Sequence, residues 1–233
     1  MSDNQHIIEQ LNKVRERIKI TAEKAGRHPD EIKLVAVSKT FPNEYIQIAY
    51  NGSQRIFGEN KIQELETKVP SLANDIEWHM IGHLQSNKVN RAVELAEYIH
   101  SVDSLKLIDR IDRLAKEANK CPKIFIEVNI SGEDSKFGTT QETVIELVKA
   151  AVKCENLELI GYMTMAPFGV SEDELHKVFG SLRILRDEIN QQLSLNIKEL
   201  SMGMSNDFEI AIEEGATFVR VGSSIFGKRS YQV

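Results

Sequence analysis

Lys39 stands at the end of the run Ile32-Lys33-Leu34-Val35-Ala36-Val37-Ser38. An amine held against apolar walls loses hydration, which lowers its pKa and makes it a nucleophile toward carbonyl carbon. The same position also suits a lysine that leaves a buried strand and reaches water, so Lys39 alone does not decide. Two later segments bear on the choice. Ser201-Met202-Gly203-Met204-Ser205-Asn206-Asp207 runs into a helical pattern, and Gly222-Ser223-Ser224 supplies a flexible turn with two hydroxyls. Glycine lets a backbone approach closely, and open N–H groups beside hydroxyls are what a phosphate needs. Arg220 lies inside the apolar stretch Phe218-Val219-Arg220-Val221, where a guanidinium is unfavourable unless it is paired or functional.

Other candidates carry less. His79 and His83 are four apart, but in a strand-like stretch without the HExxH helix of zinc hydrolases, so packed or hydrogen-bonded histidines are expected. Neither GxGxxG after the first strand nor GxxxxGK[ST] occurs, which removes dinucleotide and P-loop chemistry. Cys121 and Cys154 form no CxxC and no disulfide framework; two reduced, mostly buried thiols are expected. Charged residues on the helices are expected to form solvated outer faces.

The elements that must position these residues alternate between two periods. Residues 3–25 carry apolar positions at helical spacing: Ile7, Ile8, Leu11, Val14 and Ile18. Eight short apolar runs follow, beginning near Ile32, Arg55, Trp78, Tyr98, Lys123, Leu157, Glu199 and Phe218, each separated from the next by a helical pattern. This is the signature of a parallel sheet with helical crossovers. Eight units in about 200 residues predict a closed (β/α)8 TIM barrel with an extra N-terminal helix, spanning residues 1–233 as one domain. A doubly wound open sheet is the competitor, and the strand count favours the barrel. In such a barrel chemistry sits at the C-terminal strand ends, with phosphate often bound after the seventh and eighth strands. Here those ends carry Lys39, Asn60, His83, Ser101 with Asp103, Asn129, Met163 to Met165, Ser201 to Ser205 and Gly222 to Ser224.

A net charge of −6 argues against a nucleic-acid or anionic-membrane surface. No apolar run approaches the ~18 residues of a membrane span, and the N-terminus lacks a secretory h-region. A cytoplasmic protein is expected.

Leu34 to Thr40, Phe57-Gly58-Glu59-Asn60, Trp78 to Lys88, Ser201 to Ser205 and Arg220 to Gly227 together resemble the YggS/PROSC family of pyridoxal 5′-phosphate (PLP) homeostasis proteins. That family is similar to the barrel domain of alanine racemase without its second domain. The resemblance implies PLP held as a Schiff base on Lys39, no established turnover, and a role in handling the cofactor. It further implies that Asn60 and His83 line the ring side, that Ser201, Ser205, Gly222 and Ser223 hold the phosphate, and that Arg220 faces the pyridine nitrogen. Lys136 matches a family loop position that offers a secondary PLP-reactive amine. The implied partners are PLP and the apoenzymes that need it, with a monomer as the working state. The alternative is a single-domain PLP-dependent amino-acid racemase. Two-base racemisation needs a proton acceptor on each face of the carbanion, and Lys39 serves one. The chain ends about ten residues beyond the last strand, so no second domain is expected to bring the other.

Overall fold

The computed structural model describes residues 3–133 and 137–227; Lys136 lies outside them. Eight parallel strands close into a barrel in chain order. They are β1 (Lys33–Val37), β2 (Ile56–Glu59), β3 (Glu77–Met80), β4 (Tyr98–Val102), β5 (Lys123–Glu127), β6 (Glu158–Met163), β7 (Glu199–Ser201) and β8 (Phe218–Val221). The closing seam sets Lys33 opposite Phe218 and Ala36 opposite Val221. The (β/α)8 barrel expected from the alternating periods is the architecture found.

Helix α1 (Asp3–Lys24) precedes the barrel. The crossovers are α2 (Asn43–Asn51), α3 (Ile62–Lys68), α4 (Val89–Leu95), α5 (Leu105–Ala118), α6 (Val144–Ala151), α7 (Glu172–Leu193) and α8 (Phe208–Glu213). Their ends follow local chemistry. Helix α5 buries Leu107, Ile108, Ile111 and Ala115 on one face and stops at Asn119, which adopts a left-handed φ of 51°. Helix α7 starts at a capping box in which Ser171 and Glu174 satisfy each other's backbone N–H.

Side chains alternate across each strand and so build two cores. The outward set packs under the helices in one large cluster. The inward apolar set is small: Val35, Tyr98, Phe125, Met163 and Phe218. Helix α1 lies against α2, α8 and the final turn of helix, bracing the β8–β1 seam.

Two expectations need correction. Gly222-Ser223-Ser224 is not a flexible turn but the start of a one-turn helix, α9 (Ser223–Phe226). Burial of Ile225 and Phe226 winds it, and both of their N–H groups bond Gly222 O at 2.9 Å. The thiols are not both buried: Cys121 is exposed in the turn before Pro122, and Cys154 is half-buried beyond the end of α6. Among the described residues no helix is long and apolar enough to cross a membrane.

Candidate functional site

Lys39 leaves β1 at the C-terminal mouth of the barrel, after four buried residues, Leu34 to Val37. Thr40 then takes a φ of 68°, a left-handed conformation unusual for a β-branched residue, and the chain turns away toward α2. Across the mouth, β7 runs out through Gly203, whose φ is 90°. A Cβ there would lie 2.6 Å from Ala211 Cβ and 2.9 Å from Phe208 Cα, so only glycine lets this loop fold down onto α8.

That fold brings Ser205 beside the start of α9. The Ser205 hydroxyl oxygen accepts from the N–H groups of Gly222 at 3.2 Å and Ser224 at 3.4 Å. Asp207 turns its carboxylate back onto the Met204 N–H. The N–H groups of Ser205, Asn206 and Ser223 donate to no protein acceptor among the described residues. Three open N–H groups and two hydroxyls in one concavity suit an anion.

A cavity of about 480 Å³ joins these parts. Lys39, Asn60, Ser205, Arg220, Gly222 and Ser223 all line it, with Phe41, Ile81, Met165 and Phe168 among the apolar remainder. Asn60 is held there by a close crossing: a Cβ on Gly82 would lie 2.3 Å from Asn60 O. The Ser101 hydroxyl donates to Gly82 O at 2.6 Å and fixes the same corner.

Two of the expected residues sit elsewhere. His83 lies at the rim, its ring stacked on Phe137 at 4.0 Å and its Nδ1 3.7 Å from Asp103 Oδ2. Ser201 is fully buried in the barrel interior under Arg220 rather than on the cavity wall.

Ser201 belongs to a chain that strand spacing did not reveal. Arg220 Nη1 donates to Ser201 Oγ at 2.6 Å, and Nη2 donates to Thr164 O at 3.0 Å. Ser201 Oγ lies 2.8 Å from His100 Nδ1; His100 Nε2 lies 2.9 Å from His79 Nδ1; His79 Nε2 lies 3.0 Å from Glu77 Oε1. A carboxylate only accepts, so His79 gives its Nε2 proton to Glu77 and, with one proton per ring, accepts at Nδ1 from His100 Nε2. His100 Nδ1 is then the acceptor for the Ser201 proton, while the Ser201 oxygen accepts from Arg220, which only donates. Burial holds both imidazoles below their ordinary range, which agrees with one proton on each. The line therefore has a single polarity from the cavity floor to Glu77 at the opposite end of the barrel.

Two buried carboxyls were also unforeseen. Glu127, on β5, is 3 % exposed, and burial pushes its carboxyl up to about 7 against the pull of Arg220. Glu59, in the Gly-Glu-Asn stretch, bonds Ser38 and Lys68 and is likewise raised by burial to about 7. Both are charges in apolar strands, the signal that singled out Arg220, and the same reasoning applies to them.

Known proteins place this arrangement. The family described as alanine racemase, N-terminal domain, matches residues 10–230. The chain is 42% identical over 224 residues to a pyridoxal phosphate homeostasis protein of Aquifex aeolicus, covering 96% of this chain and 98% of that one. It is 40% identical to the Homo sapiens protein of the same name, covering 95% and 86%. The structure of PipY from Synechococcus elongatus, solved with PLP bound, superposes with a TM-score of 0.84 at 36% identity, covering 95% of this chain and all of that one. Alanine racemase of Clostridium difficile shares the fold, with a TM-score of 0.78 at 16% identity, over 98% of this chain and 58% of that enzyme. On identity over nearly the whole length, and on the barrel that carries Lys39 and the open N–H groups at one mouth, the chain belongs to the pyridoxal phosphate homeostasis protein family.

Proposed function

We propose that this chain binds PLP, retains it through a covalent link to Lys39, and handles the cofactor rather than turning substrates over. One observation carries the reading: an amine, hydroxyls and a cluster of N–H groups without a partner among the described residues face a single cavity of about 480 Å³. The donor set fits the group. PLP supplies an aldehyde, which an amine converts to a carbon–nitrogen double bond with loss of water, and an aromatic ring that draws electrons from whatever is attached.

In this reading Ser205, Gly222 and Ser223 hold the phosphate by charge-assisted hydrogen bonds. Asn60 borders the ring, with His83 at the rim. Arg220 meets the pyridine nitrogen from the floor, and Ser201 supports Arg220 from below. An arginine there donates without giving up a proton, which leaves the ring a weaker electron sink than a carboxylate partner would. The name shared by the relatives, homeostasis protein rather than racemase, supports the same conclusion. In this reading the chain works in the cytoplasm as a monomer and passes PLP to apoenzymes that need it.

The test is absorbance and borohydride trapping of the purified protein with PLP, beside Lys39→Ala. The variant is expected to lose the yellow chromophore and the trapped adduct. Proton–deuterium exchange at the α-carbon of alanine, with chiral analysis, is expected to show no appreciable racemisation. Rapid exchange with loss of chirality, abolished in Lys39→Ala, would establish a racemase instead.

A further inference from the structure

Under the first two strands lies a buried ionic cluster that the site described above does not use. Lys68, at the end of α3, is 6 % exposed in its side chain, Glu59 on β2 is 0 % exposed, and Glu64 is 20 % exposed. Lys68 Nζ donates to Glu59 Oε1 at 2.7 Å, to Glu64 Oε2 at 2.8 Å and to Ser38 O at 3.0 Å. All three of its protons are thereby used. Ser38 Oγ donates to Glu59 Oε1 at 2.7 Å, and the Thr40 N–H donates to Glu64 Oε2 at 2.7 Å.

The pattern of these contacts is selective. Among the described residues, every hydrogen bond that the three charged groups make outside the cluster lands on Ser38 or Thr40. Those are the two neighbours of Lys39. Ser38 is held by both its carbonyl and its hydroxyl, while Thr40 is held by its N–H in the left-handed conformation that turns the chain. A non-glycine residue stays in that region only when its surroundings enforce it.

A purely structural role explains this poorly. A buried ion pair is weak evidence for stability, because desolvating two charges offsets most of their attraction. Glu59 Oε2 is buried with no partner among the described residues, and burial pushes this carboxyl up to about 7 despite Lys68. Apolar side chains would join α3 to the barrel at least as well. They could not grip a carbonyl, a hydroxyl and an N–H on either side of one residue.

We infer that Lys68, Glu59 and Glu64 are positioning residues for Lys39: a clamp that fixes the backbone on both flanks of the lysine and so sets where its amine sits against a bound aldehyde. This rests on the PLP reading of the cavity, and the clamp acts on covalent capture rather than on the phosphate seat. Loss of about an ångström of placement at a reacting atom costs on the order of a hundred-fold in rate.

The experiment compares two ligands on wild type, Glu64→Ala, Glu64→Gln, Lys68→Met and Lys39→Ala. PLP reports capture, through the rate of borohydride-trapped adduct on the Lys39 peptide. 4′-Deoxypyridoxine 5′-phosphate, which lacks the aldehyde, reports the seat through its affinity. Glu64→Ala and Lys68→Met are expected to slow trapping by about ten- to a hundred-fold, with deoxypyridoxine phosphate affinity held within about two-fold. Glu64→Gln keeps an oxygen for the Thr40 N–H and is expected to recover most of the trapping rate. Wild-type trapping rates in Glu64→Ala would overturn the clamp, as would a parallel loss of both ligands. Adduct formation that survives Lys39→Ala at the wild-type level would overturn the PLP reading itself, and the clamp with it.

Discussion

The 2.6 Å contact from Arg220 Nη1 to Ser201 Oγ heads a line of hydrogen bonds beneath the cavity floor whose direction is set from its far end, at Glu77. Because the Glu77 carboxylate only accepts, His79 donates to it from Nε2 and accepts at Nδ1 from His100 Nε2, whose Nδ1 in turn takes the serine proton. The arrangement leaves Arg220, 4 % exposed, with no carboxylate bonded to it among the described residues, although Glu127 and Asp207 act on it through space. Burial lowers its pKa to about 10, which still keeps it charged near neutrality.

Ser201→Ala should therefore destabilise the protein by about 1–3 kcal/mol, the usual penalty for stranding buried polar partners. Both Arg220 Nη1 and His100 Nδ1 lose their partner at once. Ser201→Thr keeps the oxygen and should recover part of the loss. Urea unfolding of the three proteins measures this, and an alanine variant as stable as wild type would refute it.

Ser223→Asp tests the anion cradle. A carboxylate set among the open N–H groups would repel a phosphate, so PLP affinity should fall by about ten-fold or more. Pyridoxal, which lacks the phosphate, should be affected far less. Titration followed by absorbance distinguishes the cases, and equal losses for both ligands would place the phosphate elsewhere.

Glu127 predicts a pH dependence of stability. Burial, the largest cause, raises its carboxyl to about 7 from an ordinary 4.5, while Arg220 pulls down and Asp103 pushes up. A carboxyl raised in the fold holds its proton more tightly there than in the unfolded chain. Its stabilising contribution is complete below about pH 4.5 and is lost as pH rises through about 7. Glu127→Gln cannot ionise, so it should lose less stability than wild type between about pH 5 and pH 8. Parallel urea midpoints for the two proteins across that range would contradict the assignment.

Gly203→Ala should damage the site through the backbone. The left-handed φ and the 2.6 Å approach to Ala211 leave no room for a methyl group. The loop carrying Ser205 must lift, at about 1–3 kcal/mol of stability, and PLP affinity should fall with it. Calorimetry and PLP titration check the two effects, and a variant with intact affinity would show that the loop does not hold the phosphate.

Much of this was legible in the chain because barrels write themselves locally. Each strand is a short apolar run, each crossover a helical pattern, and the strand ends that carry Lys39, Asn60, Ser205 and Gly222 follow from the count. What failed was depth. Ser201 and Ser205 look alike in sequence, yet the first ends β7 inside the barrel beneath Arg220 and only the second, past the turn at Gly203, reaches the cavity. Lys68 reads as an ordinary helix charge four residues after Glu64, and only the lay of α3 over β1 and β2 buries it. His79, expected to be packed or hydrogen-bonded, is hydrogen-bonded, but its partner His100 lies on the neighbouring strand, a relation that no spacing within one strand encodes.

The polar line from Glu77 to Arg220 also constrains anyone who would re-engineer this barrel. A half-satisfied buried network is worse than an apolar core, so aliphatic replacements at His79, His100 or Ser201 should each be harmful when made singly. Made together they should cost less than the sum of the three, because the ring nitrogens go with them and only Arg220 Nη1 and Glu77 Oε1 lose a mate. The interior thus behaves as one block under mutation, with strongly non-additive effects among residues as far apart in the chain as Glu77 and Arg220. Thermostabilised versions built one substitution at a time will have to leave the middle of the barrel alone and draw their gains from the helical shell.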